Sequence, residues 1–180
     1  MRKPISALMH RGFHLAEAFL VAAVFAFAPA QASADMQKPA GKVILSVDGA
    51  ITEKNNGTDA VFDRDMLRAL GMHSLTSSNP FETGVQHFEG VLLSDLLARV
   101  GASGKMIVAH ALDGYAVEIP ISDAKRYPVL LAMVRNGKEM TVRNKGPLWV
   151  VYPVDQFEEL KEEIYSTRSI WQLTRLTIED

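Results

Sequence analysis

The spacing of apolar and polar positions divides the chain into short segments of two periods. Residues 42–51, Lys-Val-Ile-Leu-Ser-Val-Asp-Gly-Ala-Ile, are rich in β-branched side chains and bounded by turn formers, which predicts a strand. Asn55-Asn56-Gly57 supplies a tight turn into the next segment. Met66, Leu67 and Leu70 then fall on one face of a short helix that Asp59 or Asp63 can cap and Gly71 ends. Leu92, Leu93, Leu96, Leu97 and Val100 also recur at helical spacing, with Gly101 as the stop. Beyond Gly101 the period returns to two. Residues 105–112 and 115–121 flank Asp113-Gly114, and residues 129–135 and 138–143 flank Asn136-Gly137; both dipeptides favour type I′ hairpins. Between the hairpins, Ser122 is placed to cap a single helical turn that ends before Pro128. Residues 148–152 read as an apolar strand stopped by Pro153, residues 158–163 as a charged, solvated helix, and residues 170–178 as a last strand. Two tight hairpins so close together force an antiparallel or mixed sheet, so the pattern predicts an α+β domain with two or three short helices.

The stretch 74–101 sits at the centre of this pattern. It reads as an extended segment ending in a polar turn at Ser77-Ser78, a loop carrying Phe81 and His87, and the amphipathic helix closed by Gly101. A polar turn between two buried elements is a place where a fold can present a site.

Ahead of these elements lies a segment of a different character. Arg2, Lys3 and Arg11 accompany an apolar, alanine-rich run over 15–30, and Ala32-Ser33-Ala34 has the small residues of a cleavage site. This predicts an export signal over 1–34, cleaved after Ala34, then a flexible lead-in over 35–41 and a single domain over 42–180. An uncleaved anchor fits less well, because Glu17 interrupts the run and a spanning helix needs about 20 apolar residues. The mature chain is therefore expected in a bacterial periplasm. Removing Arg2, Lys3, Arg11 and Glu17 from 19 basic and 21 acidic residues leaves a formal charge of −4, which argues against nucleic acid or anionic lipid as the main partner. The chain has no cysteine, so neither disulfides nor thiolate chemistry are open to it.

The candidate chemistry is dispersed. His73, His87 and His110 have no metal-ligand spacing among them, and a zinc site needs three or four ligands on one ion. Ser77 and Ser78 lack the glycine-flanked elbow of a serine nucleophile, and no glycine-rich phosphate loop occurs. Arg135, Arg143, Lys145 and Arg168 fall at strand ends or in loops. Clustered, they form a pocket for a small anion; apart, they are ordinary surface. Trp149, with Tyr152 and Trp171, either walls a pocket or fills core.

Five motifs in order carry a family resemblance. They are Phe88-Glu89-Gly90-Val91-Leu92-Leu93-Ser94-Asp95-Leu96-Leu97; Asp113-Gly114-Tyr115-Ala116-Val117-Glu118-Ile119-Pro120; Leu130-Leu131-Ala132 with Asn136-Gly137-Lys138; Gly146-Pro147-Leu148-Trp149-Val150-Val151-Tyr152-Pro153; and Trp171-Gln172-Leu173. Together they resemble the oxidoreductase molybdopterin-binding domain of the sulfite oxidase family, and most of all its short, exported, single-domain members. The resemblance implies a sulfite-oxidase-type mixed α+β fold. In the enzymes it also implies a molybdenum pterin cofactor whose metal takes a cysteine thiolate, at a position that corresponds here to Ser77 or Ser78. The family's arginine in the glycine-proline-leucine-arginine strand is replaced by Trp149.

The resulting expectation is a periplasmic binding or sensory module, without the metal thiolate and without catalytic residues, that partners a membrane signalling protein. Its ligand site is expected among Thr76, Ser77, Ser78, His87, Tyr115, Arg143, Lys145, Trp149 and Arg168, with a small anion as ligand, no metal and no cofactor. The alternative is an oxidoreductase that binds molybdopterin without cysteine ligation.

Overall fold

The computed structural model describes residues 36–180. The expected export segment lies outside the described residues. Among the described residues ten strands form two sheets: β1 Leu45–Gly49, β2 Ala60–Phe62, β3 His73–Asn79, β4 Glu82–Leu92, β5 Met106–Ala111, β6 Ala116–Pro120, β7 Leu130–Arg135, β8 Lys138–Glu139, β9 Trp149–Val151 and β10 Leu173–Glu179. Four short helices, α1 Arg64–Arg68, α2 Leu93–Arg99, α3 Ile121–Arg126 and α4 Glu163–Arg168, and two 3₁₀ turns at Val142–Asn144 and Glu158–Lys161 connect them. The α+β class expected from the pattern is the one observed.

The first sheet runs β2-β1-β10-β5-β6. It is mixed, because β1 and β10 pair in parallel while every other pair is antiparallel. The second runs β3-β4-β7-β8, with β9 also on β7. β7 shows why its sequence is apolar throughout. Leu131 and Met133 point into the main core with β1, β10 and α2, while Leu130 and Ala132 point into a second cluster with Leu75, Phe88, Met140, Trp149 and Val151. Alternate residues of a strand face opposite sides of a sheet, so a strand covered on both faces loses the polar half of its alternation. β9 repeats this on three residues, with Val150 in the main core and Trp149 and Val151 in the second cluster. The second cluster is the floor on which the candidate site is built.

Several local expectations change. The segment carrying His87 is not a loop: residues 82–92 form β4, an eleven-residue strand hairpinned onto β3 through the turn at Phe81, so His87 pairs with Thr76 in the ladder. Gly84 and Gly90 hid it, since glycine weakens strand patterns. Gly90 is required because a Cβ there would meet the Leu131 carbonyl oxygen at 2.0 Å, at the point where the β4–β7 register shifts. Asn136-Gly137 does form a type I′ turn, with φ of 50° and 73°. Asp113-Gly114 does not, because only Gly114 is left-handed. Gly114 N–H donates to the Ala111 carbonyl, and Ala111 N–H to that of Tyr115, which makes a longer loop. Ser122 caps nothing; α3 starts directly from Pro120. β8 is only two residues long, because the chain turns into the 3₁₀ segment.

Asp63 is the cap of α1, accepting from Met66 N–H at 2.9 Å. It also accepts from Gly41 N–H at 2.7 Å, Met36 is buried in the main core, and the Gln37 carbonyl accepts from Asn55. The lead-in expected to be flexible is thus tied down at three points.

Candidate functional site

The turn at the end of β3 is the first part of the site. Leu75, Ser77 and Asn79 lie on the buried face of the strand, and Thr76 and Ser78 on the other. Ser77 is fully buried and its hydroxyl completes no hydrogen bond, although it lies near enough to Asp155 to help hold that carboxylate down. Ser78 is fully engaged with Asp155: its hydroxyl and its N–H each donate to a carboxylate oxygen at 2.5 Å. These bonds, the hydroxyl's first, hold the Asp155 carboxyl below its ordinary range despite partial burial. On the outer face Thr76 Oγ1 meets His87 Nδ1 at 3.0 Å, and His87 Nε2 stands 4.0 Å from Glu89. Thr76 and His87 are exposed, and Glu89 is half-buried.

The second part is an aromatic corner over the second hydrophobic cluster. Trp149 is fully buried on β9, and its indole N–H donates to the Ser169 carbonyl at 3.0 Å. Phe88 and Trp171 pack edge-on against it, with centroids at 5.5 and 6.3 Å, and Phe81 packs edge-on against Trp171 at 4.7 Å. Lys145 places its ammonium over the Trp149 and Trp171 rings, at 5.0 and 5.5 Å. Its Nζ donates to Glu82 Oε1 at 2.5 Å and to the Phe81 carbonyl at 2.7 Å, and Arg135 also contacts Glu82 Oε1. Burial pushes the Glu82 carboxyl up, but the hydrogen bonds and charges of Lys145 and Arg135 outweigh it and hold the group below its ordinary value. Lys145 and Gln172 both adopt left-handed backbone, at φ 71° and 52°, and are joined by a bond from Gln172 N–H to the Lys145 carbonyl. Non-glycine residues hold such conformations only where the surroundings impose them.

The third part is a cavity of about 450 Å³ beside this corner. Phe81, Trp171 and Tyr115 supply its aromatic walls, Ser166, Thr167 and Ser169 its hydroxyls, and Asp113 its charge.

The sequence-expected residues therefore divide. Lys145 and Trp149 come together, and Tyr115 lines the neighbouring cavity. Thr76 and His87 pair on an outer face, while Ser77 and Ser78 sit at the end of β3. Arg143 is exposed in the 3₁₀ turn. Arg168 is drawn away to a buried assembly, where Asp123 accepts from its Nη1 at 3.0 Å and from the Tyr152 hydroxyl at 2.8 Å. Of the four basic residues considered for an anion pocket, Arg135 and Lys145 share Glu82 and Arg168 is held by Asp123. Glu82, Asp113, Asp155 and the hydroxyls of α4 were not singled out in the sequence. Nothing local marks them, since Glu82 and Asp155 acquire their roles from partners far along the chain, and Asp113 and the α4 hydroxyls from the cavity they line.

The family model of the oxidoreductase molybdopterin-binding domain matches residues 63–178. The chain belongs to that family. Among solved structures it is similar to the sulfane dehydrogenase SoxCD from Paracoccus pantotrophus, at 21% identity and a TM-score of 0.58, over 76% of this chain and 38% of that one. At that identity the likeness is one of fold, and this chain spans well under half of the SoxCD chain. Curated protein sequences gave no match.

The group that gives the family its name does not fit the donors present here. A molybdenum pterin asks for a soft thiolate and for cations free to meet phosphate. The chain has no cysteine, and the hydroxyl at Ser77 is a neutral, hard donor. Among the described residues no group of three or more His, Asp or Glu side chains converges as a metal site. The cations nearest the aromatic corner are already held by Glu82.

Proposed function

We propose that this is an exported, periplasmic member of the molybdopterin-binding family that works as a ligand-binding or sensory module, without thiolate ligation of a metal. The observation that carries this reading is the aromatic corner. Where an enzyme of this family needs free cations and a thiolate, Lys145 and Arg135 are both engaged by Glu82 and Ser77 offers a buried hydroxyl. A walled cavity remains beside them, and most of a small ligand's surface is buried in such a space. A module that binds without turning over needs a partner to read its occupancy, and a membrane signalling protein is the partner proposed.

The test is the metal content of protein purified from its native compartment. The expected result is molybdenum far below stoichiometry and no pterin chromophore. Stoichiometric molybdenum with a pterin absorbance would replace this reading with that of an oxidoreductase lacking cysteine ligation.

A further inference from the structure

The cavity beside the aromatic corner has a definite electrostatic character. Of its nine lining residues only Asp113 is charged, and no basic side chain is among them. Asp113 Oδ1 accepts from Tyr115 N–H at 3.0 Å, which fixes the carboxylate at the cavity edge on the β5–β6 loop. Phe81 and Trp171, in edge-to-face contact with centroids 4.7 Å apart, line the cavity together with Tyr115, which stands just ahead of β6. Aromatic faces carry negative potential and attract ammonium groups to within about 6 Å of the centroid. The fold already uses this property at the same corner, where the Lys145 ammonium rests over Trp149 and Trp171. Phe81 and Tyr115, which line the cavity, are among the large apolar side chains left exposed, so its rim is open to an incoming apolar group.

We propose that this cavity takes a small organic cation, an ammonium head held against Phe81, Tyr115 and Trp171 with Asp113 as its counter-ion and the hydroxyls of Ser166 and Thr167 at its polar end. The inference rests on the ligand-binding reading above and names the class of ligand, replacing the small anion expected from sequence. Its chemical reason is that a lining with three aromatic residues, one carboxylate and no basic side chain offers an anion no opposite charge, whereas a weakly hydrated organic cation gains from both the rings and the carboxylate.

Calorimetric titration of the purified protein tests it, with choline, its uncharged isostere 3,3-dimethylbutan-1-ol, and sulfate as probes. Choline is expected to bind at least about tenfold more tightly than the isostere, a difference of about 1.4 kcal/mol, and sulfate not to compete. Asp113→Asn keeps the oxygen that accepts from Tyr115 N–H, so the loop is retained. It should weaken choline by about tenfold and leave the isostere unchanged. Equal affinity for choline and isostere, or no effect of Asp113→Asn on choline, overturns the cation assignment. Binding of sulfate or of a neutral compound without choline also overturns it while leaving the ligand-binding reading intact. If no probe binds and a broad panel of small molecules changes neither melting temperature nor tryptophan fluorescence, both fall together.

Discussion

Glu82 is one carboxylate serving two cations, and its protonation governs the charge beside the aromatic corner. Because its pKa is held below the ordinary 4.5, the folded state favours the ionised form. That contribution is fully present above about pH 4.5 and is lost as the pH falls through the lowered folded value. Glu82→Gln should therefore cost about 1–2 kcal/mol at neutral pH, the range for leaving a partly buried charged group under-satisfied. The gap to wild type should shrink as both are taken into acid; melting temperatures measured across pH 3–7 check it, and a pH-independent gap would mean the carboxylate is not what holds the pair. Lys145 and Trp149 could be singled out from sequence because a cation and an aromatic near a glycine-proline turn are conspicuous by type. Glu82 could not, since its meaning comes from Lys145, 63 residues away, and from Arg135. Asp113 was read only as a turn former, which is its local role and hides its place on the cavity.

The two hairpins show what local signals carry at the level of elements. Asn136-Gly137 is fully specified by its dipeptide, and the structure adds a second role for Asn136. Its Oδ1 accepts from His87 N–H and its Nδ2 donates to Gln86 Oε1, both at 2.9 Å, so one turn residue bridges back to β4. Asn136→Gly preserves the left-handed backbone but removes both bonds and is expected to destabilise by about 1–2 kcal/mol. A denaturation midpoint equal to wild type would reduce Asn136 to a turn former. β4 was illegible for the opposite reason. Its Gly84 and Gly90 and its polar outer residues Thr83, His87 and Glu89 speak for a loop, and only the pairing with β3 and β7 makes it a strand. The helix that follows it, α2, was legible because Leu93, Leu96 and Leu97 write a helical face that no strand can bury.

For the whole molecule the notable fact is where the last strand goes. β10 lies in the middle of the first sheet, in parallel register with β1 on one side and antiparallel to β5 on the other. The family match begins only at residue 63, so β1 and β2 precede it although β1 is bonded to the strand that ends it. Parallel pairing of strands at opposite ends of a chain leaves little trace in local pattern, which is why the sheet order could not be read while the α+β class could. Deleting residues 173–180 removes the buried Leu173, Leu176 and Ile178 and divides the sheet into two hairpins. The shortened chain is expected to lose cooperative unfolding altogether, which circular dichroism and a denaturant titration would show. A sharp transition would mean that the second sheet suffices as a core.

The same placement sets an order of events during folding. Until β10 is in place, β1–β2 and β5–β6 have no common partner, and only the sheet containing β3, β4, β7 and β9 has all its strands. The sheet under the aromatic corner can thus assemble first, and the closing of the first sheet waits for β10. Such a long-range closure is slow relative to hairpin formation. One sheet is complete in itself, and the other is held open for a single strand.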